Sequence, residues 1–521
     1  MIIRKFPIGI QDFENLRQNN FLYVDKTAYI YRLASEGNPY FLGRPRRFGK
    51  SLLISTIKAY FLGKRELFEG LAIAQLEKEW VEYPVFHFDM NVENYIDSAS
   101  LELALDSNLR PLEEIWGRDD AEISPASRFL GLLRRASEKT GKRVVVLIDE
   151  YDKPLLGTMD NLQPHEDIRN LLKAFYGILK TADPYLHFVL LTGVTKFSKV
   201  SIFSDLNHLR DISMDRAYAG ICGITAAELA GNFEPELNEL AKINEMTYKD
   251  TLAKMKRQYD GYHFAKESEG IFNPFSVLNV FANKEFRNYW FQTGTPTFLV
   301  KMLKQHNFDV RDFSDNITIS ANSITDYRMD GGNIVPLLYQ TGYLTIKGYN
   351  RQFDAYILGF PNEEVEYGFL NELLPAYVPC SEVIQDFFVM KFIEDLQAGN
   401  VDAFMTRIRA FFADIPYELN DKTERHYQTL FYLVFKLMGQ FVQVELRSAR
   451  GRADAVVIVQ DTVYVFEFKL SENATAEDAL RQIDEKGYLI PFIAGERKVV
   501  KIGAEFNTAE RTLSRWVYNG V

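Results

Sequence analysis

Apolar residues follow two patterns along this chain. Short apolar runs appear at "NPYFLG" (Asn38–Gly43), "VFHFDM" (Val85–Met90), "VVVLI" (Val144–Ile148) and in "HFVLLTGVTKFSK" (His187–Lys199). A run of this kind without alternation predicts a strand buried on both faces. Between the runs lie stretches with helical spacing. In "SLLISTIKAYF", Leu52, Leu53, Thr56, Ile57 and Tyr60 form one stripe, and "PHEDIRNLLKAFYGILKTA" (Pro164–Ala182) is a second helix. Strands alternating with helices predict an α/β fold with a parallel sheet covered on both faces. Ligands of such sheets sit at the carboxyl ends of the strands. From about Asn283 the alternation stops. "IVPLLYQTGYLTIKGY" reads as a helix running into a strand, "NRQFD" as a turn, "AYILGFP" as a second strand and "EEVEYGFLNELLPAYV" as a helix. Near the C-terminus, Ala453–Val459 and Thr462–Lys469 read as two strands joined by a tight turn at Gln460-Asp461.

The first run leads into "GRPRRFGKS", which ends in Gly49-Lys50-Ser51. A phosphate-binding loop, G-x-x-x-x-G-K-[ST], needs a preceding strand, a turn of exposed amides and a following helix. The strand and helix are present, but the motif's first glycine is replaced by Arg44. Pro45 fixes its own φ and can hold the turn instead. In the nucleotide reading the backbone of Arg46, Arg47, Phe48, Gly49 and Leu52 lines the phosphates. Lys50 reaches the outer phosphates, the Ser51 hydroxyl takes Mg²⁺, and Arg44, Arg46 and Arg47 add positive charge. A solvated basic loop capping a helix explains the same residues. "LIDEYDKPL" favours the first reading, because a buried strand ends there in Asp149-Glu150. Asp149 is placed to hold Mg²⁺ and Glu150 to polarise water beside the γ-phosphate. Thr192, at the tip of the fourth strand, either senses the γ-phosphate or caps the next turn. Tyr23 to Thr27 are candidates for the base pocket, or else pack as part of a helix.

Composition adds limits. Apolar residues make up 47% and charged residues 25% of 521 residues, ordinary for a soluble globular chain of several domains. No apolar run approaches the ~18 residues of a spanning helix, and the stretch after Arg4 and Lys5 is cut by Gln11 and Asp12, too early for a signal peptide. Cys222 and Cys380 form no metal pattern, which fits a reducing cytoplasmic setting. A net charge of −11 argues against a protein coated uniformly for nucleic acid, though a local basic groove survives that total.

Together "RPRRFGKS", "VVVLIDEYDKPL", "LTGVTKFSKVSIFSDLN", "YDGYHF" and "NPFSVLN" resemble the bacterial AAA-ATPase-like proteins. In that family the loop itself reads R-P-R-R-F-G-K-S/T, so the resemblance makes Arg44 a family trait. It implies ATP and Mg²⁺ binding over most of residues 5 to 300. The helix, hairpin, helix order that follows is consistent with a winged-helix-like module, rich in acids (Glu363, Glu364, Glu366, Glu372).

A second chemistry is written into "GRADAVVIVQDTVYVFEFKL". Asp454 opens the first strand, and Glu467 and Lys469, two apart, share one face of the second. Two carboxylates there fix a divalent cation and the lysine orients water or offsets charge. An exposed ion pair on a hairpin is the plainer explanation. Glu424, in the helix "KTERHYQTLFYLVFKLMG", and Gln482, in "AEDALRQIDEKGYL", fall where a metal-dependent nuclease wants them. Residues 380 to 518 resemble the PD-(D/E)XK nuclease superfamily, with Ala453 in place of the usual proline. The resemblance makes Glu424, Asp454 and Glu467 the metal ligands, with Mg²⁺ or Mn²⁺ as the ion. From Gln440 onward acids and bases nearly balance, so no basic footprint announces DNA.

The expected organisation is therefore an AAA-ATPase-like domain over 1–285, a helical, winged-helix-like linker domain over 286–380 and a restriction-endonuclease-like α/β domain over 381–521. The expected function is ATP-binding and ATP-hydrolysing, coupled to a metal-dependent nuclease-like domain. The alternative is a nucleotide switch whose C-terminal domain only binds DNA or a protein. ATP and DNA or RNA are the expected partners, with homo-oligomerisation open and no membrane.

Overall fold

A computed structural model describes residues 4–37, 39–159, 161–196, 209–291, 299, 302–303, 308, 311, 313, 317–325, 333–377, 382–413, 424–439, 442–446, 454–493, 497–507, 509–510 and 512–520. The chain divides into two units, 1–293 with 318–364, and 294–317 with 365–521. No helix among the described residues is long and apolar enough to cross a membrane.

The first unit is built on five parallel strands: β1 (Pro39–Gly43), β2 (Val85–Asp89), β3 (Val144–Asp149), β4 (Leu186–Gly193) and β5 (Arg210–Asp211), in the order β2-β3-β4-β1-β5. All six residues of β3 are buried. Their alternation splits them between two faces. Val144, Val146 and Ile148 join Phe86, Phe88, Val189, Leu191 and Phe41 in a core closed by the helices Ser98–Trp116, Pro125–Thr140 and Leu162–Thr181. On the other face the helix Lys50–Phe61 covers the sheet, with Leu53, Ile54, Ile57 and Phe61 buried and the Phe61 ring against Phe188. Burial on both faces is why these strands read as unbroken apolar runs. The register aligns the strand tips. Leu42 stands beside Thr192 and Gly43 beside Gly193, while Ile148 stands beside Leu191.

The same unit continues into a helical cluster, Ala226–Ile243, Tyr248–Tyr259 and Pro274–Asn283, whose entry carries the two-stranded pair β6 (Ile224–Thr225) and β7 (Ile271–Phe272). The helix Val335–Thr341 and an antiparallel hairpin follow. Its strands join an earlier one in a three-stranded sheet of β8 (Ile317–Ser320), β9 (Thr345–Asn350) and β10 (Ala355–Gly359), ordered β8-β10-β9.

The second unit is a mixed five-stranded sheet: β11 (Gln443–Leu446), β12 (Ala455–Val459), β13 (Thr462–Leu470), β14 (Lys498–Asn507) and β15 (Thr512–Gly520), in sequential order. Only β13 and β14 run parallel, because the helix Ala476–Glu485 crosses between them. Val456, Ile458, Val463 and Val465 pack beneath that crossover with Ile483 and Tyr488. The opposite face is aromatic, with Phe466 and Phe468 against Phe404, Phe431 and Phe435 from the helices Val401–Ala413 and Glu424–Met438. Gln460 sits at φ 52 in the two-residue turn joining β12 to β13, as a hairpin of that length requires.

Candidate functional site

Two groups of chemistry-bearing residues lie at sheet ends, one in each unit. In the first, the chain leaves β1, turns through Arg44 to Gly49 and enters the helix at Lys50. Arg47 (φ 68) and Gly49 (φ 89) are both left-handed. Gly49 caps the helix, so the first-turn amides are open to an anion. Lys50 is buried and its Nζ folds back onto the carbonyls of Arg44 (3.1 Å) and Pro45 (3.2 Å). Ser51 and Leu52 are half-buried on the first turn, and Arg46 is exposed.

Three loop residues do something other than the pattern suggests. Arg44 points inward and does not face a polyanion. Its guanidinium donates to the carbonyls of Gly43 (2.9 Å), Ser213 (2.7 Å) and Tyr218 (3.0 Å), and stacks 4.1 Å above the Phe264 ring. Arg47 lies 3.9 Å over Phe275. Phe48 is buried edge-on against Tyr262 and Phe264, and its carbonyl accepts from Gly223 (3.2 Å). Only its amide remains to offer a ligand.

Asp149 ends β3 and is buried. Its Oδ1 accepts from the Glu150 amide (3.1 Å) and from the Thr192 hydroxyl. Thr192 is thus wholly buried and orients the acid; it neither caps the next turn nor opens to solvent. Glu150 takes φ 51, a conformation unfavourable for a side chain with Cβ and often kept where function needs it. Burial raises its proton affinity, while the Lys50 cation opposes that shift. One residue that the sequence reading passed over fixes this corner. Asp152 is buried and accepts from the amides of Val194 (3.0 Å) and Thr195 (2.6 Å) and from the Thr195 hydroxyl (2.7 Å), tying the turn after β3 to the end of β4. A Cβ on Gly193 would stand 2.6 Å from Asp152 and Tyr151, so this contact needs glycine. Of Tyr23 to Thr27, Asp25, Lys26 and Thr27 have side chains hydrogen-bonded within the protein. Lys26 bonds the Gly220 carbonyl and Glu228, and Asp25 accepts from Thr27 and Ala72.

In the second unit, Ala455 pairs with Phe466, so the ladder brings Asp454 and Glu467 beside each other at its end. The exposed Asp454 accepts from the Phe468 amide (2.9 Å). Glu467 is 3% exposed. Its Oε1 accepts from Lys469 Nζ (3.1 Å) and from Gln482 Nε2, which also touches the Tyr488 hydroxyl (3.2 Å). Its Oε2 is buried with no partner among the described residues. Burial, reinforced by the Asp454 charge, pushes the Glu467 carboxyl up to about 7, against the pull of Lys469. A buried carboxylate oxygen without a donor, next to a second carboxylate, fits a hard divalent cation with oxygen ligands. Glu424 begins its helix, but its side chain lies outside the described residues. Among the described residues no three His, Cys, Asp or Glu side chains form a metal cluster. Tyr488 was not anticipated, since an isolated tyrosine beyond the crossover helix carries no pattern.

Comparison with known proteins agrees with both ends of the chain. The family described as "Predicted AAA-ATPase" matches residues 7–203. The "PD-(D/E)XK nuclease superfamily" matches residues 422–516. An "Uncharacterized protein in vnfD 5'region" of Azotobacter chroococcum mcd 1 is 34% identical over 530 residues, spanning 99% of this chain and 98% of that protein.

Proposed function

The chain belongs to the family of predicted AAA-ATPases that end in a PD-(D/E)XK nuclease superfamily domain, and from that premise we propose that it hydrolyses ATP to control a metal-dependent nuclease-like site acting on nucleic acid. The observation that carries the reading is the gathering of Lys50, Asp149 and Glu150 at the carboxyl end of one parallel sheet.

In this reading the loop amides and Lys50 hold the phosphates, with Lys50 leaving the carbonyls of Arg44 and Pro45 for the outer oxygens. Ser51 and Asp149 are the Mg²⁺ ligands, and Thr192 keeps Asp149 turned towards them. Glu150 takes a proton from the attacking water. Its raised proton affinity brings it closer to the working pH of a general base. Arg44 holds the loop to the segment around Ser213 and Tyr218.

At the second site Asp454 and Glu467 are the ligands, with Glu424 a candidate third, for Mg²⁺ or Mn²⁺. Such an ion, when bound, supplies Lewis-acid stabilisation and makes water more acidic. Gln482 fixes the orientation of Glu467, and Lys469 offsets the charge of the carboxylate pair.

Phosphate release from Mg²⁺-ATP tests the nucleotide half. Wild type releases phosphate, Glu150→Gln binds ATP but releases none, and Lys50→Ala binds none. Equal release by wild type and Glu150→Gln removes the assigned base.

A further inference from the structure

A cavity behind the phosphate loop is used by neither site above. It lies at the ends of β1, β4 and β5 and opens to solvent. Its walls are mostly apolar, from Phe41, Val194, Met214 and Phe264. Its polar side chains include Arg44, Lys196, Asp211 and Gln340.

The hydrogen-bond inventory of these four is one-sided. Both terminal nitrogens of Arg44 are spent on carbonyls, but its Nε is buried without a partner among the described residues. The Gln340 Oε1 accepts from the Lys196 amide (2.7 Å), which fixes the side-chain amide, while its Nε2 is buried without a partner among the described residues. Arg44 is 1% exposed and Gln340 is 9% exposed. Asp211 is already satisfied by Lys196 Nζ (2.6 Å) and by the Ser213 amide (2.9 Å). Two orphaned donors therefore belong to side chains that line one cavity, with no orphaned acceptor among the described lining residues. The Lys196–Asp211 pair cancels, so Arg44 leaves the lining with one net positive charge.

An acceptor-only group carrying one negative charge and an apolar body answers all of these features. We propose that this cavity binds a small organic carboxylate, its oxygens accepting from Arg44 Nε and Gln340 Nε2 and its hydrocarbon part lying against Phe41, Met214 and Phe264. Two single, separate donors suit the two oxygens of a carboxylate. The apolar walls favour it over inorganic phosphate, whose remaining oxygens would be left without donors.

The test is calorimetric titration of the full chain with acetate, butyrate and benzoate at millimolar concentration, with inorganic phosphate as the rival probe. The expected result is saturable binding that tightens from acetate to benzoate, with phosphate weaker. Gln340→Glu keeps the acceptor for the Lys196 amide but replaces the donor with a like charge. It should weaken benzoate at least about tenfold while leaving ATP binding in place. Gln340→Met, close in shape and without a donor, gives the same reading should Gln340→Glu not fold. Absence of saturable carboxylate binding, tighter binding of phosphate, or benzoate affinity unchanged in both variants overturns the assignment and leaves ordered water as the partner of the two donors.

Discussion

Replacing Glu467 by glutamine in the metal-free protein should make the second unit more stable, by an amount that grows as pH rises from 4.5 to about 7. An unfolded carboxyl ionises around the ordinary 4.5, whereas the folded Glu467 ionises at about 7. Its side chain is 4% exposed, so solvent does little to screen this penalty. Between these two values the folded chain holds a proton that the unfolded chain has lost. The stabilising contribution is thus complete below 4.5 and is lost as pH rises through 7. The full span corresponds to about 3 kcal/mol at 1.36 kcal/mol per pH unit. Glutamine removes the titration, and the pull of Lys469 needs no separate subtraction because it already holds the carboxyl down to about 7. The net gain should be about 3 kcal/mol near pH 8, falling to less than about 1 kcal/mol near pH 5. Urea denaturation in chelator, read by pulse proteolysis of the C-terminal unit, measures it, since that probe does not require the whole chain to unfold in one step. A stability difference that is the same at both pH values refutes the reasoning. With Mn²⁺ present the sign should reverse, because the ion stabilises the ionised form that glutamine cannot supply.

Three further outcomes follow from the same geometry. Arg44→Lys should lower the stability of the N-terminal unit by about 2–4 kcal/mol, because one ammonium cannot serve three carbonyls and stack on Phe264; chemical denaturation reads this. Asp152→Asn should cost about 1–3 kcal/mol, since a neutral amide oxygen is a weaker acceptor than the carboxylate oxygen that takes two amides and a hydroxyl, and hydrogen exchange should show the loss at Val194 and Thr195. Asp454→Asn should weaken Mn²⁺ binding by at least about tenfold in calorimetry while leaving the melting temperature of the metal-free protein unchanged or higher, because a repelling charge is gone.

The strands of the first sheet were legible because burial on both faces leaves no polar position to break the run, as in Val144–Ile148. The hairpin Ala455–Leu470 was legible for a different reason: its turn is two residues long, and Glu467 and Lys469 are neighbours on one face by spacing alone. What could not be read is partner choice across long sequence separations. Arg44, Arg46 and Arg47 look alike in sequence, yet only Arg44 turns inward, and its partners Ser213 and Tyr218 are about 170 residues away. Thr192 has the composition of a cap, but its hydroxyl is claimed by Asp149 on the adjacent strand. Phe48 is an apolar residue in a basic loop, and the aromatic cluster that buries it comes from a segment past residue 260. Strand β8 was missed because Ile317–Ser320 is too short and too exposed to show a pattern.

On the proposed reading, one chain couples an ATP site to a metal-dependent nucleic-acid site. Cleavage of single- and double-stranded DNA in Mn²⁺, with and without ATP, tests it most directly. Wild type should cut at least one substrate, at a rate that changes on adding ATP. Lys50→Ala should lose the ATP response while keeping basal cleavage, and Asp454→Asn should cut nothing. Cleavage that survives Asp454→Asn, or no cleavage by wild type under any of these conditions, contradicts this reading.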